Sequence, residues 1–198
     1  MRKQHKSFLI NIIILLALGT FLSTLLNSSG NTNFSSPPDF YATSQEVDLN
    51  EFSDFLEENE YTVYLPKSWP NDYKLTAIYL KKDPFIAIVV YSAELNKDYK
   101  TAELTYQISI VTSTPTHEEL SQDIQDPSIE TVYEINGWPM LLNEEASSGG
   151  ESSFVDKYGE FTVLTMLWIE SCQYMINSPN LTPEEVITLV ENMSTKSL

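Results

Sequence analysis

Apolar residues follow three regimes along the chain. Residues 8–26 (FLINIIILLALGTFLSTLL) form a nearly unbroken apolar run, residues 27–44 are mostly polar, and beyond them apolar positions recur at helix or strand spacing. Thr43 and Glu46 have the T-x-x-E spacing of a capping box. Behind them Leu49, Phe52, Phe55 and Leu56 repeat at helical intervals, which predicts an amphipathic helix over residues 45–59. Residues 61–65 are a short β-type run that stops at Pro66, and residues 67–73 (KSWPNDY) read as a turn segment. Residues 74–82 and 85–94 are rich in β-branched and aromatic side chains and are separated by Asp83-Pro84, so they predict neighbouring antiparallel strands. A third strand is predicted over residues 102–111, where Leu104, Tyr106, Ile108 and Ile110 alternate.

Thr116 and Glu119 form a second capping box ahead of one or two helical turns. Residues 131–135 and 138–142 flank Asn136-Gly137, the strongest short hairpin signal in the chain. Residues 144–156 carry Ser, Gly and Glu and are expected to be a mobile loop. Residues 161–168 and 172–177 predict a last hairpin over Ile169-Glu170-Ser171. Thr182, Pro183 and Glu185 then start a helix whose stripe is Val186, Leu189, Val190 and Met193. The order of elements predicts an α+β domain: a curved antiparallel sheet of about seven strands, flanked by an N-terminal and a C-terminal amphipathic helix.

The apolar run spans nineteen residues, roughly 28 Å of helix at about 1.5 Å per residue, close to the thickness of a bilayer core. Arg2, Lys3 and Lys6 precede it, so residues 1–7 are expected to be a cytoplasmic tail and everything after Leu26 to be exported. A cleaved signal peptide competes with an uncleaved anchor. Ser28-Ser29-Gly30 would suit cleavage, whereas the length of the run favours an anchor. The only cysteine is Cys172, so no lipobox cysteine follows the run. Residues 27–44 have the composition of a flexible tether, and residues 45–198 are expected to form the extracytoplasmic domain.

Charge narrows the function classes. The chain has 11 basic and 28 acidic residues; three of the basic ones lie in the first six positions and no acidic residue precedes Asp39. The part from Asn27 onward is therefore at −20, a surface that repels nucleic-acid phosphates and anionic lipid.

Leu65-Pro66, Trp69-Pro70 and Tyr73 form an L-P-x-x-x-P-x-x-Y opening. After it come the Tyr91 strand, Ile135-Asn136-Gly137, Leu167-Trp168 with Tyr174, and Leu181-Thr182-Pro183-Glu184-Glu185. In this order, across residues 65–193, the chain resembles the domain of unknown function four-three-six-seven family. The resemblance implies an extracytoplasmic sensor or regulatory domain behind the transmembrane helix of Gram-positive anti-sigma-factor-like membrane proteins, with no assigned catalytic residues. The family's regulatory members carry a folded sigma-binding segment on the cytoplasmic side. Seven residues without a Cys/His pattern do not supply one, so direct sigma-factor sequestration is not expected.

Candidate chemistry is sparse. Cys172 lies in a predicted strand, and a nucleophile there needs a base; His117 is the only histidine of the exported part. His117 begins H-E-E-L but position 121 is Ser, so no H-E-x-x-H exists. The carboxylate groups Glu118/Glu119, Glu144/Glu145 with Glu151, and Asp123/Asp126 fall among polar neighbours, where a solvated surface is the ordinary reading. No catalytic, metal or cofactor set is expected. The sharpest binding reading is an apolar groove lined by Phe161, Trp168 and Tyr174. The leading expectation is a non-catalytic membrane-anchored binding or sensing module whose partner is an envelope protein or lipid. The alternatives are a lipid or lipoprotein carrier with an apolar groove, and a carboxylate-dependent cell-wall hydrolase.

Overall fold

The computed structural model describes residues 40–147 and 152–195. Helix α1 (Phe40–Thr43), strand β1 (Gln45–Val47) and helix α2 (Leu49–Glu58) lead into β2 (Tyr64–Pro66), β3 (Lys74–Lys82), β4 (Phe85–Ser92) and β5 (Leu104–Ile110). Next come α3 (His117–Asp123), β6 (Glu130–Ile135), β7 (Trp138–Ser147), α4 (Ser152–Tyr158), β8 (Phe161–Ile169), β9 (Cys172–Ser178), α5 (Pro183–Glu191) and β10 (Met193–Thr195). The fold is α+β, built on one open, antiparallel, eight-stranded sheet of order β1-β3-β4-β5-β9-β8-β7-β6. Two meanders, β3-β4-β5 and β6-β7-β8-β9, are joined in its middle where Tyr106 pairs with Ile176 and Ile108 with Tyr174. Strands β2 and β10 form a separate two-stranded sheet.

Strand alternation sorts the side chains into two faces. The inner face carries Ala87, Val89 and Tyr91 of β4, Leu104, Tyr106 and Ile108 of β5, and Leu167, Tyr174 and Ile176 of the last hairpin. Phe52 and Leu56 of α2 and Val186, Leu189 and Val190 of α5 belong to the same core. The outer face is covered at its two ends. Phe40, Tyr41 and Tyr99 pack on Ala77, Tyr79, Ile88 and Val90, and Leu120 of α3 packs on Leu141 and Trp168. Strand β4 is thus buried along almost its whole length, which is why it reads as a continuous apolar run rather than an alternating one.

Local signals fix the turns. Ile135 pairs with Trp138 across Asn136 and Gly137, at φ +56° and +81°, the geometry of a two-residue hairpin that twists with its strands. The last hairpin closes on Glu170 and Ser171, with Ile169 paired to Cys172. Capping boxes form as expected at Thr116/Glu119 and Thr182/Glu185.

Three expectations are corrected. The first helix does not begin behind Thr43. Residues 45–47 instead pair with β3, Val47 opposite Ile78, and Asp48 caps α2 by accepting from the backbone N–H of Asn50 and Glu51. Residues 40–43, expected to belong to the tether, form α1, with Phe40 meeting Tyr99 edge-on at 5.9 Å, while the rest of the expected tether, residues 27–39, lies outside the described residues. Residues 144–156 are not a loop throughout. Strand β7 continues to Ser147 past a register shift, and α4 follows with Phe154 buried. The predicted membrane segment, residues 8–26, lies outside the described residues, as do Gly149, Gly150 and Glu151; no helix among the described residues is long and apolar enough to cross a membrane.

Candidate functional site

The residues singled out in the sequence are mostly occupied with building the fold. Cys172 is buried and its thiol donates to the Thr62 carbonyl at 3.4 Å; burial, with Glu170 adding to it, pushes the thiol up to about 11. His117 opens α3 on the surface; the Ser121 hydroxyl donates to the His117 carbonyl at 2.8 Å, and its oxygen also lies 3.4 Å from His117 Nδ1. The backbone N–H and hydroxyl of Thr116 hold Glu119 below the usual carboxylate range, and Ser128 does the same for Asp126. Glu118 is exposed in the first turn of α3, where its charge suits the helix dipole. Asp123 closes that helix, and Glu144 and Glu145 lie exposed in β7. Among the described residues no group of three or more His, Cys, Asp or Glu is placed to hold a metal ion.

The expected groove is not assembled from its three residues. Tyr174 is on the inner face, where its phenol oxygen accepts from the Tyr64 backbone N–H at 2.7 Å. Trp168 is on the outer face against Leu120 and Leu141. The period-two alternation of β8 and β9 separates them: Tyr174 is opposite Leu167, one residue out of step with Trp168. Phe161 is 55% exposed at the start of β8.

A different region concentrates unusual features: the connection between β4 and β5, together with α4. The connection is fastened from within. Ser92 Oγ accepts from the backbone N–H of Glu94 at 3.1 Å and of Asn96 at 3.0 Å, and Asn96 Nδ2 donates to the Thr101 carbonyl at 3.0 Å. It is also fastened from outside, by Thr76 Oγ1 donating to the Asn96 carbonyl at 2.6 Å and the Tyr79 hydroxyl to the Lys97 carbonyl at 3.1 Å. The Tyr41 hydroxyl donates to Asp98, and burial, followed by that hydrogen bond, raises the Tyr41 phenol far above its ordinary value. On this braced loop Leu95 is 67% exposed at φ +60°, a left-handed conformation that a branched side chain adopts only when its surroundings enforce it.

Glu103 closes the same connection. It is the one buried charged residue among those described. Its Oε1 lies 3.7 Å from Lys157 Nζ, while Oε2 is buried without a hydrogen-bond partner. Lys157, from α4, also pairs with Glu94 at 3.1 Å and lies over the Tyr158 ring, 5.0 Å from its centroid. The hydrogen bond to Tyr158, and then Glu94, raise Lys157 above the usual lysine range against the opposing effect of burial. The Tyr158 hydroxyl donates to the Thr101 carbonyl at 3.1 Å, so α4 is tied to the loop by two consecutive side chains. Leu95 directly follows Glu94, and Phe161 begins β8 just past α4, so two exposed apolar residues flank the ion-paired cluster in the chain.

The fold and this site define an open-sheet α+β domain that presents a braced loop. Compared with family models, curated proteins and solved structures, the chain gives no match. Sequence reasoning missed Glu103 and Leu95. A lone Glu and a lone Leu in a polar turn carry no local signal, and only the tertiary placement of α4 gives them a role.

Proposed function

We propose that the chain is a non-catalytic binding or sensing module, anchored in a membrane by residues 8–26, whose extracytoplasmic domain engages an envelope protein through the β4–β5 connection. The observation that carries this reading is Leu95, held exposed at positive φ on a loop whose polar groups are fastened to one another and to β3. A solvated loop gains nothing from an exposed leucine in a strained conformation, whereas binding residues gather on loops that a rigid scaffold positions. The structural duties of Cys172, Glu119 and Asp126 support the non-catalytic part. The order of motifs over residues 65–193 supports the sensing part and the family resemblance, on which the regulatory role rests.

The test is a photocrosslinking residue at position 95, with a control at exposed Lys74, in the full chain in its own membrane. Crosslinking of one membrane or envelope protein from position 95 alone is expected, and Phe161→Asp is expected to abolish it. Capture of lipid alone would favour a carrier, and capture of nothing at position 95 would remove the proposed surface.

A further inference from the structure

On the inner face of the sheet, where Tyr174 and Ser178 have hydrogen-bond partners, four polar atoms are buried without one among the described residues: Trp69 Nε1, Tyr91 Oη, Tyr106 Oη and Thr165 Oγ1. They form a band. The Trp69 indole stacks on Tyr91 with ring centroids 4.8 Å apart, and Tyr91 meets Tyr106 edge-on at 5.6 Å. Tyr106 of β5 and Thr165 of β8 both pair with Ile176 of β9, so they share one cross-strand row. Adjacent strands are about 4.8 Å apart, which sets these two backbones about 10 Å apart, with both side chains on the same face. Val163, Leu167 and Ile169 alternate with Thr165 onto the same inner face.

Buried polar groups in native proteins nearly always have partners. Leaving four unpaired would cost a free energy comparable with the net stability of a whole domain. The chemistry of the band says what would satisfy it. An indole N–H can only donate, while phenol and threonine hydroxyls donate or accept, so the occupant must accept hydrogen bonds. Burial holds the phenols of Tyr91 and Tyr106 well above their ordinary value, which keeps both as protonated donors. No basic side chain is buried among the described residues, so an anion here would lose its hydration without gaining a countercharge.

We infer that the Trp69–Tyr91–Tyr106–Thr165 band is an internal binding site for a small neutral hydrogen-bond acceptor, the oxygen of water or of a carbonyl- or hydroxyl-bearing ligand. The site is separate from the surface around Leu95 and stands whether or not that surface binds a protein. Three near-isosteric variants of the full chain test it: Tyr91→Phe, Tyr106→Phe and Thr165→Val. If the band is occupied, each removes a hydrogen bond that is made, and the folding equilibrium constant measured by urea unfolding falls about five-fold. If the hydroxyls are unpaired, removing them leaves stability unchanged or raises it. Water-to-protein NOEs at Tyr106 and Thr165 identify a long-lived water, and native mass spectrometry of the purified chain identifies a small ligand as an added mass that Tyr106→Phe loses. Unchanged or increased stability in all three variants overturns the site, as does finding neither a long-lived water nor an added mass.

Discussion

Glu103 and Lys157 show how much a single residue can depend on its partner's position. The Glu103 side chain is only 6% exposed, whereas that of Lys157 is 36% exposed, so most of the desolvation falls on the carboxylate. Removing the lysine leaves that carboxylate buried without the one ion-pair partner seen for it among the described residues. Lys157→Met is therefore expected to destabilise the domain by about 1–2 kcal/mol, below the range for fully buried pairs because the lysine is part-solvated. Glu103→Gln in the same background is expected to recover part of the loss, and urea unfolding of the four-member cycle measures the coupling. Cys172 gives a second expectation at this scale. Its thiol, at about 11 when folded against an ordinary 9.0, has a thiolate fraction at pH 8 about 100-fold lower in the folded chain. Alkylation at pH 8 is expected to be slowed by at least that factor relative to the chain in denaturant. The sign for stability follows: the folded pKa is raised, so the contribution is complete well below pH 9.0 and is lost as pH rises toward about 11. The part of the alkaline decline that disappears in Cys172→Ala belongs to this group.

Among the elements, those whose cause is local were legible in the sequence. The hairpin at Asn136-Gly137 and the helices behind Thr116 and Thr182 need only neighbours a few residues away. Strand β1 was not legible, because the partner that makes residues 45–47 a strand is β3, brought there by the fold, and a plausible T-x-x-E pattern covered the real cap. Helix α4 was hidden by its Ser-rich start; Phe154 inserted into the structure is what turns a polar stretch into an element. The Phe161, Trp168 and Tyr174 set failed for a related reason: proximity in a hairpin says nothing of face until the register is known. The position of the α2 cap is directly testable. Asp48→Ala is expected to cost about 1 kcal/mol, while Thr43→Ala, whose hydroxyl makes one exposed bond to the Phe40 carbonyl, is expected to cost a few tenths, the reverse of what the sequence pattern suggests. At the hairpin, a Cβ on Gly137 would meet no atom within 4 Å, so Gly137→Ala tests the φ of +81° alone. It is expected to cost about 1–2 kcal/mol in thermal or urea unfolding.

For the whole molecule the deciding quantity is how charge is distributed between the first residues and the rest. Arg2, Lys3 and Lys6 sit before the apolar run, and the chain from Asn27 onward carries 8 basic against 28 acidic residues. If residues 8–26 anchor the chain, the domain hangs beside a bilayer whose lipids share its sign, and repulsion keeps it off the surface and available to a protein. Repulsion of this kind acts over about a Debye length, roughly 10 Å at 0.1 M salt, so it shapes the domain's approach to the bilayer and does not hold the anchor in place. The two contributions are therefore separable. The full chain is expected to stay in the membrane fraction through high-salt and carbonate washes, because an apolar helix in hydrocarbon is indifferent to both. The chain from residue 27 onward is expected not to sediment with vesicles rich in phosphatidylserine at any salt concentration, and the low-salt arm is the sensitive one, since screening is weakest there. Low-salt binding by that shorter chain would mean that a local feature such as the exposed Leu95 and Phe161 outweighs the net charge, and would move the proposed docking surface from a protein to the lipid itself.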